Sequence, residues 1–193
     1  MLTVESTTER FIPTQSDSLG VLANLERYHY AAVQCIDAEG YPKRVLELGC
    51  GCGLGTYLYS LVAGHVTAID YSDDAIEYAK TYPYDSAKVE FVKMDLEKET
   101  PRGQYDLVIA IEFLEHINDP AKLIAELDTR HLVFSLPLNS REISTFHKYP
   151  IGNGKEGIKD IKKLIGDKYV IEDMVVQKPY WVYGKARKRK SWL

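Results

Sequence analysis

From Arg44 onward the chain alternates short apolar runs with stretches of helical spacing. The runs Arg44–Leu48, His65–Asp70, Val89–Met94, Tyr105–Ile111 and His131–Leu136 predict strands. Tyr105–Ile111 is apolar almost without interruption, as expected of a parallel strand covered on both faces. Between them, Leu54–Ala63, Ser72–Lys80 and Ala121–Leu127 predict helices. Ser72 offers an N-cap, with Asp73 and Asp74 as first-turn carboxylates suited to the helix dipole. Asp119-Pro120 is a cap followed by proline at the first helical position. Ahead of this series, Leu22, Leu25, Ala32 and Ile36 predict a helix from about Leu19 to Ala38, entered through Ser16-Asp17-Ser18 and left at Gly40.

The rhythm changes after Pro137. A polar loop of roughly twenty residues carries Asn139, His147, Pro150, Gly152, Asn153 and Gly154, more than a plain connector needs. A short helix at about Gly157–Ile165 follows, then strand-like runs at Tyr169–Val176 and Tyr180–Ala186 joined at Lys178-Pro179. So tight a joint permits only antiparallel pairing. The expected fold is α/β: a single doubly wound, mostly parallel seven-stranded sheet with a reversed C-terminal strand. We expect one domain over 1–193: an N-terminal arm and helix over 1–40, a core sheet over 44–187 and a basic tail over 188–193.

Composition narrows the function. A net charge of −4 on 193 residues gives no general pull toward nucleic acid or acidic membranes. No apolar run is long enough to span a bilayer, and the polar start (Thr3, Glu5, Ser6, Thr7, Glu9, Arg10) is unlike a signal peptide. Three cysteines make no disulfide framework, so a reduced, cytoplasmic chain is expected. Cys50-x-Cys52 lacks a second Cys or His pair at matching spacing and reads as small turn residues, with no metal assigned. Lys185-Ala186-Arg187-Lys188-Arg189-Lys190 reads as the solvated end of the last strand, and Tyr180-Trp181-Val182-Tyr183 as sheet packing.

The chemistry concentrates where the first strand meets Gly49-Cys50-Gly51-Cys52-Gly53-Leu54-Gly55. Glycines let backbone N–H groups approach a ligand at the mouth of a parallel sheet. A dinucleotide fingerprint needs Gly at the first, third and sixth positions. From Gly49 the sixth position is Leu54, and from Gly51 it is Thr56, so neither frame fits. No Lys-Ser or Lys-Thr pair closes the turn as a P-loop requires. Glu47 stands two residues before Gly49, where a carboxylate repels a pyrophosphate and suits a cation. Glu-x-Gly-x-Gly-x-Gly resembles motif I of the class I S-adenosylmethionine-dependent methyltransferases, and the resemblance extends from about Arg44 to Arg187.

In open α/β sheets ligands bind beyond the carboxyl ends of the strands. The turn (Gly49, Cys50, Gly51, Gly53) is expected under the methionine part of S-adenosylmethionine, with Glu47 orienting its ammonium. Asp70, ending the second strand, is placed to accept both ribose hydroxyls; its plainer role would be to cap the following helix. By resemblance, Asp95 and the Leu96 N–H address the adenine edge, while Ile111 and Glu112 flank the adenosine and the methyl group. Tyr71 and Leu96 could pack on the adenine or ribose faces. The segments Glu9-Arg10-Phe11-Ile12-Pro13 and Glu26-Arg27-Tyr28 resemble a branch in which an N-terminal helix covers the cofactor, putting Tyr28 near its carboxylate.

A base is needed when the acceptor is a hydroxyl, and Glu115, His116 and His147 are the candidates. Imidazole titrates near neutrality. Glu112-Phe113-Leu114-Glu115-His116 resembles a segment common in small-molecule and sugar methyltransferases. The expectation is therefore O-methylation of a small molecule or sugar precursor by a monomer or homodimer, with nucleic acid unlikely as a partner. No cap insertion is present, so the N-terminal segment and the Pro137–Gly154 loop must form the acceptor pocket. Two alternatives remain. Glu112, Glu115, His116 and His147 also resemble the metal-holding set of RNA 2′-O-methyltransferases, and the chain could instead be an inactive cofactor-binding partner subunit. Related enzymes usually put Pro-Gly-Gly before the fifth strand, whereas only Asp128-Thr129-Arg130 stands here.

Overall fold

The computed structural model describes residues 18–36, 40–41, 43–139, 146–177 and 181–189. Glu9–Pro13, Ser16-Asp17, the Lys178-Pro179 joint, Tyr180 and Lys190 lie outside the described residues. Seven strands form one sheet in the order β3-β2-β1-β4-β5-β7-β6. The chain divides into two compact units, Met1–Asp95 and Leu96–Leu193.

The first unit contains α1 (Ser18–Val33), β1 (Arg44–Leu48), α2 (Leu54–Ser60), β2 (His65–Asp70), α3 (Asp73–Ala79) and β3 (Val89–Lys93). β1 pairs with β2, and β2 with β3, both in parallel. Val45, Leu46, Leu48, Val66, Ala68 and Ile69 are buried, which is the apolar content a strand covered on both faces requires. The Ser72 hydroxyl caps α3 by accepting from Ala75 N–H at 3.4 Å. α1 stops earlier than its apolar spacing suggests: Gln34 and Cys35 N–H bond to Ala31 and Ala32 carbonyls, three residues back, which tightens and ends the last turn.

The second unit contains β4 (Tyr105–Ile111), a 3₁₀ turn (Leu114–His116), α4 (Pro120–Glu126), β5 (Thr129–Pro137), α5 (Gly154–Gly166), β6 (Tyr169–Gln177) and β7 (Trp181–Lys188). β4 and β5 are parallel; β5–β7 and β6–β7 are antiparallel. The reversed strand is thus β7, and it sits between β5 and β6. This position explains why Val182 and Ala186 are fully buried while β6 is mostly half-exposed. Asp119 caps α4 by accepting from Lys122 N–H at 3.0 Å, with Pro120 at the helix start. β7 runs on through Lys188, so most of the basic run belongs to the strand, and Arg187 pairs with Glu172 at 2.7 Å.

Candidate functional site

The turn after β1 uses three consecutive left-handed glycines, Gly49 (φ 70°), Gly51 (φ 52°) and Gly53 (φ 82°). They serve different ends. A Cβ on Gly53 would stand 2.5 Å from Ala79 Cβ, so this glycine lets the turn press on α3. A Cβ on Gly51 would meet nothing within 4 Å, leaving open the space into which the turn faces. Cys50 and Cys52 are buried free thiols, as expected of small turn residues.

Glu47 is buried at the end of β1. Its carboxylate turns onto the first turn of α2, where the Thr56 hydroxyl donates to it at 2.6 Å. A Cβ on Gly55 would lie 2.6 Å from Glu47 Oε1, so that glycine provides the room. Burial, reinforced by the nearby Asp70 charge and opposed by the Thr56 hydrogen bond, pushes the Glu47 carboxyl up to about 8. Thr56 was missed in the sequence, where nothing sets it apart from other helix-start threonines. Tyr28 is half-buried on α1.

Asp70 bridges the glycine turn and the start of α3. Its Oδ1 accepts from Ser72 N–H and its Oδ2 from Gly51 N–H, each at 2.9 Å. The carboxylate therefore ties the end of β2 to the glycine turn. Two oxygens offer about four acceptor positions, so two remain for ribose hydroxyls. Tyr71 is 53% exposed beside it, and Asp95 is half-buried after β3. The open face at Gly51, the spare acceptors of Asp70 and the buried acid before the turn fit a nucleoside with a cationic amino-acid tail and no phosphate.

In the second unit Leu96 and Ile111 are buried. Glu112 has φ 50°, uncommon outside glycine and costly for a residue with a Cβ. Ser135, fully buried on β5, fixes this geometry: its hydroxyl accepts from Glu112 N–H at 2.9 Å and donates to the Glu112 carboxylate. Ser135 too was missed, because a serine inside an apolar strand carries no motif. The 3₁₀ turn then presents Glu115 and His116. Lys148 and Tyr149 N–H donate to the Glu115 carbonyl at 2.7 and 3.0 Å, and Lys148 Nζ pairs with Glu97 at 2.6 Å. Glu97 also accepts from Asn118 Nδ2 at 2.9 Å.

The two histidine rings meet nearby, with centroids 5.1 Å apart and planes inclined at 65°. One ligand atom each from Glu115, His116 and His147 all lie within 4.8 Å of one another. His116 Nδ1 lies 3.2 Å from the Phe146 carbonyl. A carbonyl only accepts, so Nδ1 carries the hydrogen in this contact. The resemblance to a metal-holding set joined these three residues with Glu112; the structure groups Glu115, His116 and His147.

Residues 46–130 match the family described as "Methyltransferase domain". A ubiquinone biosynthesis O-methyltransferase from Aromatoleum aromaticum is 36% identical over 86 residues, 43% of this chain and 37% of that protein. Its namesake from Shewanella pealeana is 27% identical over 122 residues, 60% and 52% of the two chains. The chain thus matches about half or less of the length of these relatives. Magnesium protoporphyrin IX methyltransferase from Synechocystis PCC 6803, solved with bound S-adenosylhomocysteine, shares the fold at a TM-score of 0.69. That likeness has 19% identity and covers 91% of this chain and 89% of the other. Residues 46–130 are thus similar to a methyltransferase domain, and the chain shares the fold of the solved methyltransferase. Among the described residues, no helix is long and apolar enough to cross a membrane.

Proposed function

We propose that this protein methylates an oxygen of a small phenolic acceptor, acting in the cytoplasm as a monomer or homodimer. The observation that carries the reading is the His116 ring, its Nδ1 held 3.2 Å from the Phe146 carbonyl, beside His147. S-adenosylmethionine, when bound, supplies an already activated methyl group, so alignment and removal of one proton are what the protein adds. Alignment alone contributes about 7–11 kcal/mol in favourable cases. Glu47, the Gly49–Gly53 turn and Asp70 would hold the methionine and ribose ends, Asp95 and Leu96 the adenine, and Tyr71 and Ile111 would pack on the adenosine. Ser135 would fix Glu112 beside the methyl group, and Tyr28 would approach the carboxylate. His116 Nε2 would take the acceptor's hydroxyl proton, while bound S-adenosylmethionine would supply the methyl group. Glu115 and His147 orient that ring and the acceptor.

The strength of the base selects the acceptor. Imidazole near 6.5 and a phenol near 10 differ by about 3.5 units, or about 5 kcal/mol. A hydroxyl near the ~15.7 of water would lie about 9 units away, or about 12 kcal/mol. A phenol is thus the easier acceptor for an imidazole base. The names of the relatives support transfer to oxygen. Incubation with methyl-labelled S-adenosylmethionine and a catechol should yield an O-methylated product. Failure with phenols alongside transfer to amines would refute the assignment, and intact donor with every acceptor would favour an inactive partner subunit.

A second reading rests on one observation, the mutual proximity of Glu115, His116 and His147 donors. A carboxylate with two imidazoles suits a divalent cation, which would lower the acceptor's pKa and extend the range to alkyl hydroxyls. Loss of activity on chelation and its return with Mg²⁺ or Mn²⁺ would establish this reading; a full rate after chelation would exclude it.

A further inference from the structure

A residue far from the turn in sequence holds it from beneath. Tyr84 lies in the connection between α3 and β3, and its hydroxyl donates to the Gly53 carbonyl at 2.9 Å. That carbonyl also accepts from Tyr57 N–H at 2.9 Å, the first helical bond of α2. Gly53 is the N-cap of α2 in a left-handed conformation, so the bond falls at the point where turn becomes helix. The approach is close on the side-chain side as well: a Cβ on Gly53 would sit 2.7 Å from the Tyr84 oxygen.

The ring cannot swing away. It meets Phe91 edge-on at 5.3 Å between centroids, Tyr57 edge-on at 6.0 Å and Tyr82 at 6.1 Å. Phe91 is on β3 and Tyr57 on α2, so the ring is set by two elements flanking the turn. Burial and the neighbouring Glu47 push the phenol well above its ordinary value, so it stays a donor at every working pH.

We propose that Tyr84 is a positioning residue for the cofactor, fixing the Gly51–Gly53 arc so that Gly51 presents its open face to the ligand. This rests on the reading of the turn as the S-adenosylmethionine site. Asp70 holds the front of the turn at Gly51 and Tyr84 the rear at Gly53, so the arc is tied at both ends by side chains from other elements. Rigid support of this kind raises affinity by removing an ordering cost from binding.

The test is Tyr84→Phe, which keeps the ring and its packing and removes one hydroxyl. Tyr82→Phe, in the same aromatic group, is the control. S-adenosylhomocysteine is titrated calorimetrically well below the unfolding transition, with thermal unfolding and near-ultraviolet dichroism recorded for each protein. The proposal expects Kd to rise about fivefold in Tyr84→Phe, the scale of one net hydrogen bond, and to stay unchanged in Tyr82→Phe. A role confined to stability would lower the unfolding temperature and leave Kd untouched. Tyr84→Phe binding as tightly as the wild type would overturn the proposal alone. Wild-type protein that does not bind S-adenosylhomocysteine would overturn the cofactor reading along with it.

Discussion

Replacing Asp70 by Asn removes one charge and changes no other heavy atom count. In the structure each carboxylate oxygen accepts one backbone amide at 2.9 Å. The asparagine has one oxygen, so its NH₂ group must face Gly51 N–H or Ser72 N–H, donor against donor. On the proposed reading of the site, two ribose hydroxyls would lose their charged acceptor. Hydrogen bonds to charged groups contribute about 1.5–3 kcal/mol each, and the remaining amide oxygen recovers part of that. A net loss of about 3 kcal/mol follows, roughly a hundredfold in Kd. The stranded amide also costs about 1–3 kcal/mol of stability, a fall of a few degrees in Tm for a chain of this size. Calorimetric titration with S-adenosylhomocysteine, below the shifted transition and with unfolding monitored separately, reads the two effects apart. An affinity within about threefold of wild type would show that Asp70 only braces the turn.

Other consequences concern single groups. Gly51→Ala should cost about 1–2 kcal/mol of stability, since only its φ of 52° resists the substitution, yet weaken S-adenosylhomocysteine binding strongly; Gly53→Ala should cost more stability, colliding with Ala79 and the Tyr84 hydroxyl, and weaken binding as well. With its carboxyl at about 8, Glu47 is mostly protonated at neutral pH. A bound ammonium favours the ionised form, so affinity should rise with pH up to about 8 and then level off. Binding at pH 7 should release about one proton, visible as a dependence of the heat on buffer that disappears in Glu47→Gln. His116→Gln should reduce the rate by about 10²–10⁴ with cofactor affinity unchanged; a comparable loss of affinity would place the ring in the cofactor site instead.

The strand–helix alternation was legible because a parallel strand buried on both faces must be apolar throughout, as Tyr105–Ile111 shows. The caps at Ser72 and Asp119 were legible because their mechanism is local. What the chain order hid was long-range. β7 lies inside the sheet although it comes last, which no local pattern records. Within the site, Asp70 and the glycine turn could be singled out by position, but their mutual hydrogen bond could not. Thr56, Tyr84 and Ser135 hold Glu47, Gly53 and Glu112 through contacts that a threonine, a tyrosine and a serine make anywhere. The meeting of His116 with His147 is long-range as well, and so are the bonds among Glu97, Asn118 and Lys148, three exposed polar residues of ordinary type.

The most direct trial of the account is transfer itself: purified protein, methyl-labelled S-adenosylmethionine and a catechol, with products resolved by mass spectrometry. The expected product is an aryl methyl ether carrying the label, formed in step with S-adenosylhomocysteine. An unconsumed donor, together with tight binding of NADH or ATP in place of S-adenosylhomocysteine, would contradict it.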